Sequence, residues 1–126
     1  MIKIISLNIN GIRRGYKRTW VKNLVREHKV CLICIQETKS DSLTDWDVKA
    51  IWGRKNQCWA TSPSVGNSGG IITIWDSDII EDTQQEISRY MVITTGRWKG
   101  NRKKMGVAEM SFEFESNPSG SNGYLL

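Results

Sequence analysis

Two β-prone apolar runs, Ile2 to Leu7 and Val30 to Ile35, are separated by a stretch with helical periodicity. Trp20, Val21, Leu24 and Val25 recur at a spacing that puts them on one side of a helix, while Arg18, Lys22, Arg26 and Lys29 fall on the other. A strand, an amphipathic helix and a second strand in such close succession predict a βαβ unit with parallel strands joined by a crossover. The second run is apolar almost throughout, as strands covered on both faces are, so both strands are expected in the centre of a sheet. Their carboxyl ends then lie on the same edge, and this requirement constrains the rest of the fold.

Beyond the unit the pattern changes to short strands and polar turns. Gln57 to Thr61 reads as a strand, Pro63, Gly66, Asn67, Ser68 and Gly69 as a turn, and Gly70 to Trp75 and Arg89 to Thr95 as further strands. Ala108, Met110, Phe112 and Phe114 alternate with Glu109, Ser111, Glu113 and Glu115, which predicts an edge strand with one wet face. Leu43 to Trp52 is either a short helix or irregular, because Trp46 and Trp52 do not mark one face. Residues 116–126 begin with a Ser/Gly/Asn-rich stretch that has nothing to bury and are expected to be a disordered tail. Antiparallel meanders added to a parallel unit give a mixed sheet, in an α/β or α+β sandwich. With 126 residues and no internal repeat or linker, one domain or part of one is expected. Six Trp and 39% hydrophobic residues exclude a disordered chain.

A net charge of +5 favours a polyanionic partner such as nucleic acid. Arg13, Arg14, Lys17, Arg18, Lys22, Arg26 and Lys29 share their stretch with one acid, Glu27, and Arg97, Lys99, Arg102, Lys103 and Lys104 form a second cluster without any. Two solvated faces account for the same pattern. Cys31, Cys34 and Cys58 are odd in number. The gap between the first two resembles a metal or redox pair, but a strand would point them to opposite faces and no second pair follows, so reduced thiols are expected. The absence of a signal-peptide pattern and of any apolar run of about 18 residues predicts an intracellular protein with no membrane partner.

Ligand sites in open α/β sheets form beyond the carboxyl ends of the strands, which makes Asn8 and Glu37 candidates for a common site. A carboxylate such as Glu37 is a hard oxygen ligand suited to Mg2+, and an amide such as Asn8 can orient it or bind a phosphate oxygen. Asn10 can do likewise from the following loop. The plainer reading is a solvated glutamate after a strand and an Asn-Ile-Asn-Gly turn.

Taken together, Ile4-Ile5-Ser6-Leu7-Asn8-Ile9-Asn10-Gly11-Ile12-Arg13, Ile35-Gln36-Glu37-Thr38-Lys39 and the later Ser68-Gly69-Gly70-Ile71 resemble the opening motifs of the endonuclease/exonuclease/phosphatase superfamily. The wording is closest to the endonuclease domain of LINE-type, non-long-terminal-repeat retroelements. The resemblance is strongest over residues 1–104 and implies a partial domain over 1–115, an incomplete four-layer α/β sandwich. It implies Glu37 as the metal-binding carboxylate, Asn8 as its polar support, and Asn10 and Lys39 as substrate-binding residues. It also implies Mg2+ as cofactor, with Mn2+ as a substitute, DNA as partner, and a nuclear location if DNA is the substrate. Leu7 stands where Trp is common, and Ser68, Gly69 and Gly70 would shape a loop beside the site.

The later groups of such a site are missing from the sequence. No Asp-x-Asn motif occurs, the Ser-Asp pairs at Ser40-Asp41 and Ser77-Asp78 are not followed by His, and the single histidine, His28, falls at the end of the predicted helix. The resemblance therefore implies the N-terminal fragment of a metal-dependent phosphodiesterase, through truncation or a shifted exon or frame, inactive alone unless an unidentified chain complements it. A non-catalytic nucleic-acid-binding module or a non-functional remnant are the alternatives.

Overall fold

A computed structural model describes residues 3–13, 15–54, 56–88, 91–98 and 109–115. β1 (Ile4–Asn8), α1 (Gly15–His28) and β2 (Leu32–Gln36) form the βαβ unit, with β1 and β2 parallel and Ile4 opposite Leu32. After α2 (Asp45–Trp52), β3 (Gln57–Ser62) and β4 (Ile71–Asp76) complete a mixed sheet in the order β1-β2-β4-β3, antiparallel at β2/β4 and β4/β3. β5 (Ile80–Ser88), β6 (Met91–Trp98) and β7 (Glu109–Glu115) form a second, antiparallel sheet in chain order.

Alternation along β2 and β4 builds two cores. Ile33 and Ile35 lie opposite Ile74 and Ile72, and on that face they join Val21 and Val25 of α1 and Val48, Ile51 and Trp52 of α2. Leu32 and Cys34 belong with Ile71, Trp75, Ala60 and Ile80 on the face toward the second sheet. The layers among the described residues are thus helices, mixed sheet and antiparallel sheet, three of the four in the expected sandwich. Each buried Ile contributes about 1.5–3 kcal/mol relative to exposure, so the fully buried β2 anchors the fold.

Several expectations are corrected. β1 lies at an edge of its sheet among the described residues, and its side chains are only partly covered because nothing there pairs beyond it. Trp20 is 52% exposed: Val21 and Val25 sit under the helix while Trp20 projects from its flank. The strand β5 was not legible, since Gln84-Gln85-Glu86 carries no apolar alternation. β7 is an edge strand as expected. The expected tail, 116–126, and the cations Lys99, Arg102, Lys103 and Lys104 lie outside the described residues. Cys31, Cys34 and Cys58 are free thiols, the first two buried. Among the described residues no helix is long and apolar enough to cross a membrane.

The undecided segment before β3 is helical because both its ends are capped. Thr44 accepts from the Asp47 amide, and the Asp47 carboxylate accepts from the Thr44 amide at 2.9 Å and hydroxyl at 3.0 Å. This is a capping box with Asp in place of Glu. Gly53, at φ +72°, closes the other end with its amide donating to Lys49 O at 2.9 Å. Arg18 on α1 pairs with Asp47 at 3.2 Å and ties the two helices together. Burial pushes the Asp47 carboxyl up, but the hydrogen bonds from Thr44 and the charges of Arg13 and Arg18 outweigh it and leave it below its ordinary value.

Candidate active site at the carboxyl edge of the mixed sheet

Asn8 and Gln36 are opposite one another at the ends of β1 and β2, so the following segments leave the sheet side by side. The pairing continues past the strands: the amides of Ile9, Gly11 and Ile12 donate to the carbonyls of Gln36, Glu37 and Thr38 at 3.0, 2.7 and 3.0 Å. On the other side the amides of Thr38 and Lys39 donate to Gly70 O and Gly69 O at 3.1 and 2.8 Å. Glu37 to Lys39 is therefore clamped between the loop after β1 and the loop before β4.

Within this clamp three of the predicted residues, Asn8, Asn10 and Lys39, are joined by hydrogen bonds. The Asn10 amide donates to Asn8 Oδ1 at 3.0 Å, closing an Asx turn, and Lys39 Nζ donates to Asn10 Oδ1 at 2.6 Å. Glu37 is 8% exposed in the adjoining segment, while Asn8, Asn10 and Lys39 are exposed. Lys39, though exposed, is thus held by Asn10. His28 ends α1, away from this edge, and Ser77 and Asp78 lie in the turn after β4.

Two cations that the sequence showed only as members of a basic stretch also belong here. Lys17 Nζ donates to the carbonyls of Ile9 and Asn10 at 2.8 and 2.7 Å, fixing the loop from the helix side. Arg13 donates to Ser40 Oγ at 2.9 Å and Ser42 Oγ at 2.7 Å, joining the loops after β1 and β2 farther out. Nothing in the spacing of these residues distinguishes them from solvated ones.

The backbone is unusual where the side chains converge. Asn10, Glu37 and Lys39 have φ of +50°, +57° and +53°, and Gly11, Gly69 and Gly70 are also positive. Left-handed backbone costs a non-glycine residue about 1–2 kcal/mol, least for Asn. Gly70 is doubly constrained: at φ +93° a Cβ there would come within 2.2 Å of Thr38 Oγ1.

The candidate donors are the buried Glu37 carboxylate and the Oδ1 atoms of Asn8 and Asn10, which accept from the Asn10 amide and Lys39 Nζ, all of them hard oxygen groups. No group of three or more His, Cys, Asp or Glu forms among the described residues, so a closed protein cage is not available. Mg2+ is bound through one or two carboxylates and otherwise keeps its waters, and the residues fit that requirement.

Neither a family model nor a curated protein matches the sequence. Solved structures do. The AP endonuclease LMAP from Leishmania major is 16% identical, with 75% of this chain and 35% of that chain covered and a TM-score of 0.56. An AP endonuclease from Archaeoglobus fulgidus is 22% identical, with 79% and 38% covered and a TM-score of 0.54. The APE2 catalytic domain from Xenopus laevis is 20% identical, with 86% and 42% covered and a TM-score of 0.55. The likeness is one of fold, and the chain spans well under half the length of each of these structures.

Proposed function

We propose that residues 1–115 are the N-terminal part of a Mg2+-dependent phosphodiesterase domain acting on DNA, of the LINE-type retroelement kind, and that residues 116–126 are a tail outside it. One observation carries this reading: Asn8, Asn10, Glu37 and Lys39 are gathered at the carboxyl edge of two parallel strands by hydrogen-bonded, left-handed backbone. The likeness of fold to AP endonucleases supports nucleic acid as the substrate class.

Glu37 would hold the metal and Asn8 support it; Mn2+ would serve in place of Mg2+. When bound, the ion supplies charge stabilisation on the phosphate. Asn10 and Lys39 would orient a phosphate oxygen, the amide by donating from Nδ2 and the ammonium by charge-assisted contact. Lys17 holds the loop that presents both asparagines. Among the described residues no general base, worth about 10²–10⁴-fold in rate, joins this edge, and the chain is inactive alone unless another chain complements it. A nuclear location follows from a DNA substrate.

The test combines plasmid nicking with binding of a short duplex, each with Mg2+ or EDTA. The expected outcome is no nicking, together with a gain in duplex affinity on adding Mg2+ that Glu37→Gln abolishes. Mg2+-dependent nicking would overturn the inactivity, and duplex binding indifferent to both Mg2+ and Glu37 would sink the metal assignment. The latter outcome, with a steep salt dependence, belongs to the second reading, a non-catalytic nucleic-acid-binding module. That reading is favoured by the single carboxylate among the candidate residues at this edge, Glu37.

A further inference from the structure

At the opposite end of β2, where α1 and α2 both terminate, a cavity of about 220 Å3 is lined by Lys22, Arg26, Lys29, Trp52, Gly53 and Arg54, with Val25 at its base. It shares no residue with the Asn8–Glu37 edge. Two of its cations, Lys22 and Arg54, are held by their neighbours. A Cβ on Gly53 would meet the Lys22 side chain at 3.0 Å, so the Lys22 stem lies directly over the glycine that closes α2. The Arg54 guanidinium stacks over the Trp52 ring at 4.4 Å, donates to Val30 O and pairs with Asp76 at 3.6 Å. Lys29 is turned by left-handed backbone at φ +50° where α1 ends.

Charge balance decides what the cavity can hold. Each helix C-terminus contributes about half a negative charge and Asp76 contributes one more, so the four cations leave an excess of about two positive charges. That matches a phosphate. Trp52, 1% exposed, gives the cavity a rigid wall on which the Arg54 guanidinium is stacked. The residues around the cavity carry ammonium and guanidinium donors, and Trp52 is too covered to stack on a base, so recognition is of the phosphate alone.

We propose that this cavity is a phosphate-binding site, separate from the Asn8–Glu37 edge, which takes either a backbone phosphate of a single nucleic-acid strand or free inorganic phosphate. Titration calorimetry of the full chain with inorganic phosphate at constant ionic strength tests it. Saturable binding is expected, weakened about tenfold or more by Lys22→Gln/Arg26→Gln, which keeps the aliphatic stems. Lys3→Gln/Lys49→Gln removes the same charge from residues outside the cavity and should leave affinity within about twofold. Circular dichroism confirms that both variants remain folded, and an Arg26→Gln single variant replaces the double if it does not. Equal losses in the two double variants, or no saturable binding, would overturn the proposal. A second arm measures anisotropy of a labelled single-stranded oligonucleotide. Loss of its affinity in Lys22→Gln/Arg26→Gln, with competition by phosphate, identifies the strand as the source, and unchanged affinity alongside lost phosphate binding identifies the free ion. Both arms are run in EDTA, which silences the proposed metal site, so that their failure bears on this cavity alone.

Discussion

At the carboxyl edge of the mixed sheet three non-glycine residues, Asn10, Glu37 and Lys39, adopt left-handed backbone, whereas at the amino edge Lys29 does so where α1 ends. A left-handed residue after a helix is an ordinary way to turn the chain, and it leaves the Val30 amide free to reach Val25 O at 3.1 Å. No helix ends near Asn10, Glu37 or Lys39. Their conformation is imposed by neighbours on both sides, through the bonds from Gly11 to Glu37 and from Lys39 to Gly69. Both edges carry cations and carboxylates, Asp76 pairing with Arg54 at the amino edge and Glu37 lying at the carboxyl edge, yet only at the carboxyl edge do non-glycine residues away from a helix end take left-handed backbone. Strain concentrated where polar groups converge is the pattern of a preorganised site.

The sharpest way to break this contrast is at Gly70. Gly70→Ala combines positive φ with a 2.2 Å approach to Thr38 Oγ1, and should cost about 2–5 kcal/mol in urea unfolding. Gly66→Ala, at φ +60° with nothing within 4 Å, carries the backbone cost alone, about 1 kcal/mol. Equal losses would mean that the loop before β4 yields freely and does not clamp Thr38.

This clamp marks the limit of what was legible in the residues. The βαβ unit was readable because β2 is buried on both faces and α1 places Val21 and Val25 one turn apart. From it followed the meeting of Asn8 and Glu37 on one edge. The backbone that orients them was not readable, because Glu and Lys disfavour positive φ and give no local indication of it. Nor was the grip of Lys17 on Ile9 and Asn10, which depends on where α1 begins. The start of α2 had a visible marker in Thr44-x-x-Asp47, obscured by the helix's short length and the exposed Trp46.

A smaller effect tests whether the carboxyl edge leans on α2. Arg13, which joins the two loops there, also helps lower the Asp47 carboxyl, with Thr44 supplying the hydrogen bonds. Because the folded-state value is depressed, the stabilisation is present above the ordinary value of 3.8 and is lost as pH falls through the folded value. Thr44→Ala should cost about 1 kcal/mol at neutral pH and flatten the acid limb of a stability profile below about pH 4. At the other end of the scale, burial pushes the Cys34 and Cys31 thiols up, so stability should decline as pH rises above their ordinary value of 9.0, and Cys34→Ala should lessen that decline. An acid limb unchanged in Arg13→Gln would detach α2 from the electrostatics of the site.

The last comparison sets the two edges directly against each other. Lys29→Gly relieves a left-handed lysine at a helix end, and after the added freedom of the unfolded chain is subtracted it should stabilise by about 0.5–1 kcal/mol. Lys39→Gly relieves the same backbone cost but also removes the 2.6 Å bond to Asn10, an exposed contact of up to about 1 kcal/mol, so its net effect should be near zero. Chemical denaturation of both variants measures the difference. A gain in Lys39→Gly equal to that in Lys29→Gly would show that the Asn10 contact adds nothing, and the strain at the carboxyl edge would then lack the support attributed to it. The expected inequality carries a functional corollary: Lys29→Gly should gain stability while losing phosphate affinity, and Lys39→Gly should weaken duplex binding at almost no change in stability.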